Sequence, residues 1–247
     1  MTELVEKYRK ATNRLILLDY DGTLVSYFPE PGAALLPDHI FNLLTSLLDT
    51  SDNEVFIITG RSSIEIDRVL NNLPINIIAE HGAAIRVNGV WKNSVSDTGL
   101  WKKSIKPLLD QATLKCPKSF AEEKRFSLAW HYRNADPELG HAISEELMKS
   151  VSQTVQSAHL KILNGNKVVE ILNVAVGKGI AVKDLLEHNN YDFILSVGDD
   201  ATDEEMFESL MDIQNAFTIK IGAGATYARY KFTDIYEVER LLQHLTE

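Results

Sequence analysis

The amino-acid sequence predicts an α/β protein: a Rossmann-like core built on a parallel sheet, interrupted by an inserted α+β cap. Three observations carry this expectation. Short, wholly apolar runs recur, and each stops at a polar, Gly-containing turn; helical patterns lie between them; and the middle of the chain switches to two successive α-β-β units. Buried strands alternating with amphipathic helices describe a doubly wound sheet, whose functional loops leave the carboxyl ends of the strands.

Arg14–Asp19 (RLILLD) lacks polar alternation, as befits a parallel strand covered on both faces. Val55–Ile58, Ile75–Ala79 and Phe193–Val197 repeat the pattern, stopping at Thr59-Gly60, Glu80-His81-Gly82 and Gly198-Asp199-Asp200. Asp38–Leu48 is predicted helical because Ile40, Phe41, Leu43, Leu44, Leu47 and Leu48 share a stripe, and Ser62–Leu70 because it opens with the capping box Ser62-x-x-Glu65. In the middle, a helix near Leu100–Leu114 leads into strands Ser119–Glu122 and Phe126–Tyr132, turning at Lys124-Arg125. A second helix, Pro137–Val155, precedes strands His159–Leu163 and Lys167–Leu172, with the turn expected at Asn164-Gly165-Asn166. The insert therefore reads αββαββ over 98–173, leaving 1–97 and 174–247 for the core. A helix over Ile180–Leu186 follows Gly177-Lys178-Gly179, and Thr202-x-x-Glu205 reads as a further capping box.

With 247 residues, 45% of them hydrophobic, the chain can fill one large domain or two modest ones. Its apolar runs fall far short of the ~18 residues of a membrane span. The start, MTELVEKYRK, lacks the basic-then-apolar order of a signal peptide. A single cysteine, Cys116, offers neither an internal disulfide nor zinc-ligand spacing, so a reducing, cytoplasmic setting is expected. The net charge of -10 argues against nucleic acid, which needs a lysine- and arginine-rich face. A single anionic metabolite remains compatible, since a metal ion and a few placed cations offset charge locally.

The chemistry gathers at strand ends. In Asp19-Tyr20-Asp21-Gly22-Thr23 the two carboxylates stand two residues apart on extended backbone and project to the same side. Such a pair resists ionisation unless a cation or a shared proton relieves the repulsion. Mg²⁺ suits it, because that ion takes a few carboxylate oxygens and leaves room for phosphate. Gly22 allows the tight turn and frees backbone N–H groups for anionic oxygens. A second cluster, Gly198-Asp199-Asp200-Ala201-Thr202-Asp203-Glu204-Glu205, also follows an apolar strand. The helix dipole accounts for its later acids but not for Asp199 and Asp200, which precede the helix. A phosphate ester further requires cations and neutral donors. Thr59, in the turn after the second strand, and Lys178, between two glycines at a helix start, are the two candidates.

In the order DYDGT, TG, GKG and GDDATDEE, these motifs resemble the haloacid dehalogenase superfamily of phosphotransferases. The resemblance implies Asp19 as nucleophile, Asp21 as general acid and later base, and Thr59 and Lys178 as phosphoryl clamps. It implies a metal held by Asp19, Asp21 through its carbonyl, and Asp199, supported by Asp200 and Asp203. Gly22 and Arg61 join the expected substrate contacts.

The insert is similar to the cap of trehalose-6-phosphate phosphatases, in Ala121-Glu122-Glu123-Lys124, Ser127, His131-Tyr132-Arg133-Asn134 and Val169-Glu170-Ile171. Ala79-Glu80-His81-Gly82 and Asp199–Phe207 in the core are similar to the same family. By that resemblance Glu122, Lys124, Arg133 and Glu170 hold the disaccharide; cross-strand charge pairing is the plainer role for them. Two departures are visible: Thr59 stands where serine is more common, and Asn173 where proline is, which would loosen the return from cap to core. The opening, with Tyr8, Ala11 and Arg14, is similar to the phosphatase half of fused trehalose-phosphate synthase–phosphatase proteins, so a synthase is an expected partner, fused or associated. The function implied is Mg²⁺-dependent hydrolysis of trehalose 6-phosphate. Sucrose phosphate, mannosylglycerate phosphate and a catalytically silent sugar-phosphate-binding domain stay open as alternatives.

Overall fold

Arg14–Leu18 forms β1, buried along its whole length, in the middle of an eight-stranded sheet of the computed structural model, which describes residues 2–28, 34–71 and 73–247. Its parallel neighbours are β2 (Asn53–Ile58) on one side and β10 (Phe193–Gly198) on the other. β3 (Asn76–Ala79), β4 (Ala84–Val87) and β5 (Val90–Asn93) extend the sheet beyond β2, the last two antiparallel. β11 (Ala216–Ile221) and β12 (Tyr230–Phe232) extend it beyond β10 in parallel. The core is thus the parallel-dominated α/β sheet that the apolar runs predict.

Helices cover the sheet. α1 (Thr2–Lys10), α2 (Asp38–Leu48) and α8 (Ile235–Thr246) pack together, while α6 (Lys178–His188) and α7 (Ala201–Leu210) pack as another pair. Leu15, Leu17, Phe56 and Ile58 alternate toward α6 and α7, where they meet Val182, Met206 and Phe207 in one buried cluster. Each such side chain removed from water contributes ~1.5–3 kcal/mol, and together they hold the strand ends in place. α3 (Ser63–Val69) starts where the capping box places it: Ser62 Oγ accepts the Glu65 N–H at 3.3 Å.

The chain divides into two compact units, one of Met1–Ser94 with Gly177–Glu247 and one of Val95–Val176. The second has the order α4 (Lys102–Lys115), β6 (Phe120–Glu123), β7 (Ser127–His131), α5 (Pro137–Ser157), β8 (Leu160–Gly165) and β9 (Val168–Asn173), the αββαββ pattern expected. Its antiparallel sheet runs β6-β7-β9-β8. Leu128, Trp130, Val169 and Ile171 form its core with Ile105 and Leu109 of α4 and Leu147 and Val151 of α5. Strand alternation therefore puts Ser127, Ala129, His131 and Glu170 on the opposite face.

One local expectation is corrected in this unit. The β8–β9 hairpin turns at Asn166-Lys167, because Gly165 pairs with Val168 inside the ladder and Lys167 takes the left-handed conformation (φ 64°) that the two-residue turn needs. At Asn173, Oδ1 accepts the Ala175 N–H at 2.8 Å, an Asx-type turn in the return segment. Among the described residues, no helix is long and apolar enough to cross a membrane.

Candidate active site

The register of β1 aligns Leu18 with Val197 of β10 and Ile57 of β2, so three loops leave one edge of the sheet side by side. Asp19 continues β1 by donating its N–H to the Val197 carbonyl at 3.0 Å, which turns its carboxylate into the group formed by these loops. Lys178 enters from the first turn of α6, behind Gly177. Its ammonium, 2% exposed, donates to Asp19 Oδ1 and to Asp203 Oδ1, both at 2.7 Å. Burial opposes the charge of Lys178, but Asp19, Asp203 and Asp200 outweigh it and hold the ammonium well above the ordinary lysine range. The other oxygen of Asp19 takes no hydrogen bond among the described residues. Asp19 is held well above the ordinary carboxylate range by burial; Lys178 opposes this, and Asp203, Asp199 and Asp200 add to it.

The acidic loop after β10 is built differently from its sequence reading. Asp200, not Thr202, caps α7: its Oδ1 accepts from Thr202 N at 2.8 Å and from Asp203 N at 3.3 Å. Asp203 reaches back with Oδ2 to the N–H groups of Asp199 (2.8 Å) and Asp200 (3.0 Å). The helix begins at Ala201, so the capping box is Asp200/Asp203, and Thr202 lies one position inside the helix. Asp200 and Asp203 thus spend these oxygens on the loop and on Lys178. Asp199 is placed otherwise. Its Oδ2 accepts from the Tyr27 hydroxyl at 2.9 Å, and its Oδ1 is buried with no hydrogen-bond partner among the described residues. Gly22 (φ +85°) makes room for it, since a Cβ there would lie 2.4 Å from Asp199 Oδ2. Lys220, on β11, donates to the main-chain carbonyls of Asp199 and Asp200 and pairs with Glu204 at 3.4 Å.

Around β2, Arg61 clasps Asp21 with two bonds of 2.6 and 2.7 Å and lies over the Tyr20 ring. Thr59 is buried; its Oγ1 accepts the Arg61 N–H at 3.1 Å. The stretch Glu80-His81-Gly82 is left-handed at all three residues (φ 46°, 57° and 108°) and bonds both ends of the Thr59 turn: Glu80 N–H to the Arg61 carbonyl, His81 N–H to the Thr59 carbonyl. A Cβ on Gly82 would meet the Gly177 carbonyl at 3.0 Å, so the same stretch abuts the turn before Lys178. Strained backbone of this kind persists only where the surroundings over-determine it.

Asp19, Asp199 and Asp203 each offer an oxygen within 4.8 Å of the others. The residues present fit a hard divalent cation such as Mg²⁺. Every donor is oxygen, Asp199 Oδ1 is buried without a hydrogen-bond partner among the described residues, and Lys178 is one ammonium against the carboxylates of Asp19, Asp199, Asp200 and Asp203. The side chains of Asp21 and Asp200 lie outside this three-residue group, bound to Arg61 and to the start of α7; for Asp21 the expected ligand is its main-chain carbonyl. Burial, then Asp203 and Asp200, pushes the Asp199 carboxyl up to about 7 from its ordinary 3.8. A carboxyl raised on folding adds stability that is fully present below its unfolded pKa and is lost as pH rises through its folded one, here about 7. A bound cation reverses that loss, so Mg²⁺ is expected to raise the unfolding temperature more at pH 8 than at pH 5. Thermal melts with and without the ion check this, and equal shifts at the two pH values would contradict it.

In the second unit, Lys124 Nζ donates to Glu170 Oε1 at 3.0 Å and Ser127 Oγ to the same oxygen at 2.5 Å. Glu122 meets His131 Nε2 at 2.7 Å. Burial of Glu122 would raise its pKa, but His131 and Lys124 outweigh it and hold the carboxyl low. Arg133 donates to the Asn166 carbonyl at the β8–β9 turn. Tyr27 and Lys220 are the positioning groups that motif reading misses, because neither belongs to a recurrent spacing.

A family model described as Trehalose-phosphatase matches residues 17–235. A bifunctional trehalose-6-phosphate synthase/phosphatase of Thermoproteus tenax is 36% identical over 244 residues, 98% of this chain and 33% of that protein. A trehalose-phosphatase of Zygosaccharomyces rouxii is 33% identical over 235 residues, 85% of this chain and 26% of that protein. The chain thus spans about a third or less of the length of these curated relatives. The solved C-terminal domain of the C. albicans trehalose-6-phosphate phosphatase superposes with a TM-score of 0.93 at 30% identity, covering 99% of this chain and 96% of that one.

Proposed function

We propose, since this chain belongs to the trehalose-phosphatase family, that it hydrolyses trehalose 6-phosphate to trehalose and phosphate, with Mg²⁺ as cofactor and Asp19 as nucleophile. The observation that carries the reading is the Asp19 carboxylate: one oxygen is fixed by Lys178, the other takes no hydrogen bond among the described residues, and two more carboxylates stand beside it.

The Asp19 oxygen attacks phosphorus, and the bond from phosphorus to the sugar oxygen breaks. Asp21 delivers a proton to that leaving oxygen, then takes one from the water that releases phosphate from Asp19. Arg61 holds both Asp21 oxygens here, so Asp21 must leave it to reach the sugar, and the arriving phosphate is the anion that competes for Arg61. Lys178 and the Thr59 hydroxyl supply donors to phosphoryl oxygens, and Gly22, whose own N–H is held by the Val25 carbonyl at 2.7 Å, supplies the tight turn that follows Asp21. When bound, Mg²⁺ would neutralise phosphoryl charge, held by Asp19 and Asp199 with the Asp21 carbonyl, and supported by Asp200 and Asp203.

The catalytic steps fall to the unit of 1–97 and 174–247, and recognition of the sugar to the insert of 98–173. Glu122, Lys124 and Glu170 share one neighbourhood with Ser127 and His131, and carboxylates accept well from sugar hydroxyls. Arg133, on the same cap, is included in the proposed sugar contacts. A trehalose-phosphate synthase, fused or associated, belongs to the proposal because relatives join the two activities in one chain, and the setting proposed is the cytoplasm.

Phosphate release from a panel of sugar phosphates, with and without Mg²⁺, tests the reading; faster turnover of sucrose phosphate or any other ester would replace the substrate. Glu170→Gln, which keeps the side-chain shape, is expected to lower kcat/KM for trehalose 6-phosphate by about tenfold or more, the loss of one hydrogen bond to a charged group. It should leave hydrolysis of a small aryl phosphate nearly unchanged. Parallel losses on both substrates would remove Glu170 from sugar recognition.

A further inference from the structure

We infer that Tyr27 is a positioning residue for the cation site, pinning Asp199 so that one oxygen alone is left to meet the ion; this rests on the Mg²⁺ reading above. Tyr27 follows the DYDGT turn, and its hydroxyl donates to Asp199 Oδ2 at 2.9 Å. Asp199 Oδ1, on the same carboxylate, is buried without a hydrogen-bond partner among the described residues. The carboxylate also lies against Gly22, where a Cβ would come within 2.5 Å of its carbon, and its own N–H is tied to Asp203. It is therefore held from below, from its backbone and on one of its two oxygens.

Two consequences follow from elementary coordination chemistry. A pinned carboxylate has less rotamer freedom to lose when an ion arrives, which favours binding. A carboxylate with one oxygen engaged also disfavours two-oxygen coordination, the mode that a larger, more adaptable ion such as Ca²⁺ accepts and the small octahedral Mg²⁺ does not need. Tyr27 thus bears on both affinity and choice of ion through its hydrogen bond to Asp199 Oδ2.

Mn²⁺ binding in the absence of substrate, counted from the EPR signal of free ion and competed with Mg²⁺ or Ca²⁺, tests this. Tyr27→Phe is expected to weaken Mn²⁺ and Mg²⁺ binding about tenfold, the usual effect of losing a group that orients a ligand, and to weaken Ca²⁺ binding less. Tyr191→Phe, which removes another tyrosine hydroxyl bonded to a carboxylate, that of Glu54, should bind all three ions as the wild type does. Unchanged or tighter Mn²⁺ binding by Tyr27→Phe, or equal losses for Mg²⁺ and Ca²⁺, would overturn the inference. A wild-type protein that takes up no Mn²⁺ would overturn the Mg²⁺ reading itself, so the two failures are told apart by the wild-type titration.

Discussion

Asp19→Asn is expected to lower turnover by at least about 10⁴-fold, the scale of losing a covalent nucleophile, while the unfolding temperature stays the same or rises. The amide keeps the shape and can still face Lys178, but it lacks an anionic oxygen to attack phosphorus. Stability should not suffer, because Asp19 is a buried carboxylate beside three others and its charge is disfavoured there. Lys178 retains Asp203 at 2.7 Å. Phosphate release and thermal melts on the same preparation decide the matter, and a variant with near-normal, Mg²⁺-dependent turnover would exclude the covalent role.

Lys178→Met should damage both activity and fold. Its ammonium is the hub between Asp19 and Asp203, and removing one partner of a buried ion pair leaves uncompensated charge, at a cost of about 3–5 kcal/mol. The deficit should shrink in acid. Asp19 and Asp203 are both raised on folding, chiefly by burial, so protonation relieves them more readily in the folded state, and they weaken the fold as pH rises through their folded pKa values. Denaturant unfolding at pH 5 and pH 8 should therefore show the smaller loss at pH 5. A loss independent of pH would mean that Lys178 acts through packing alone.

The parts of this molecule that were legible in the sequence are those with short-range signatures. β1, β2 and β10 show as unbroken apolar runs because both faces of a central parallel strand are covered, and α2 shows by its stripe. The catalytic candidates show because Asp19, Thr59, Lys178 and Asp199 sit at strand or helix ends, where a polar residue interrupts an apolar pattern. The β4–β5 hairpin and β12 are short, partly exposed edge elements with little hydrophobic period to read. Asp200 outcompetes Thr202 as the cap because Asp203 reaches back to its N–H, a choice between two plausible caps that spacing alone does not resolve. Tyr27 and Lys220 acquire meaning only once β1, β10 and β11 lie side by side, since a lone tyrosine in a loop and a lysine in a strand carry no local pattern.

The placement of β1 between β2 and β10 also has a consequence for biosynthesis. During synthesis Asp19 emerges 159 residues before the lysine that pairs with it, and the strand that closes the second edge of β1 comes after that. Until then the nascent polypeptide carries an apolar ribbon with one side unzipped, open to mispairing or to a chaperone. The surroundings of Asp19 are complete only when translation has passed β10.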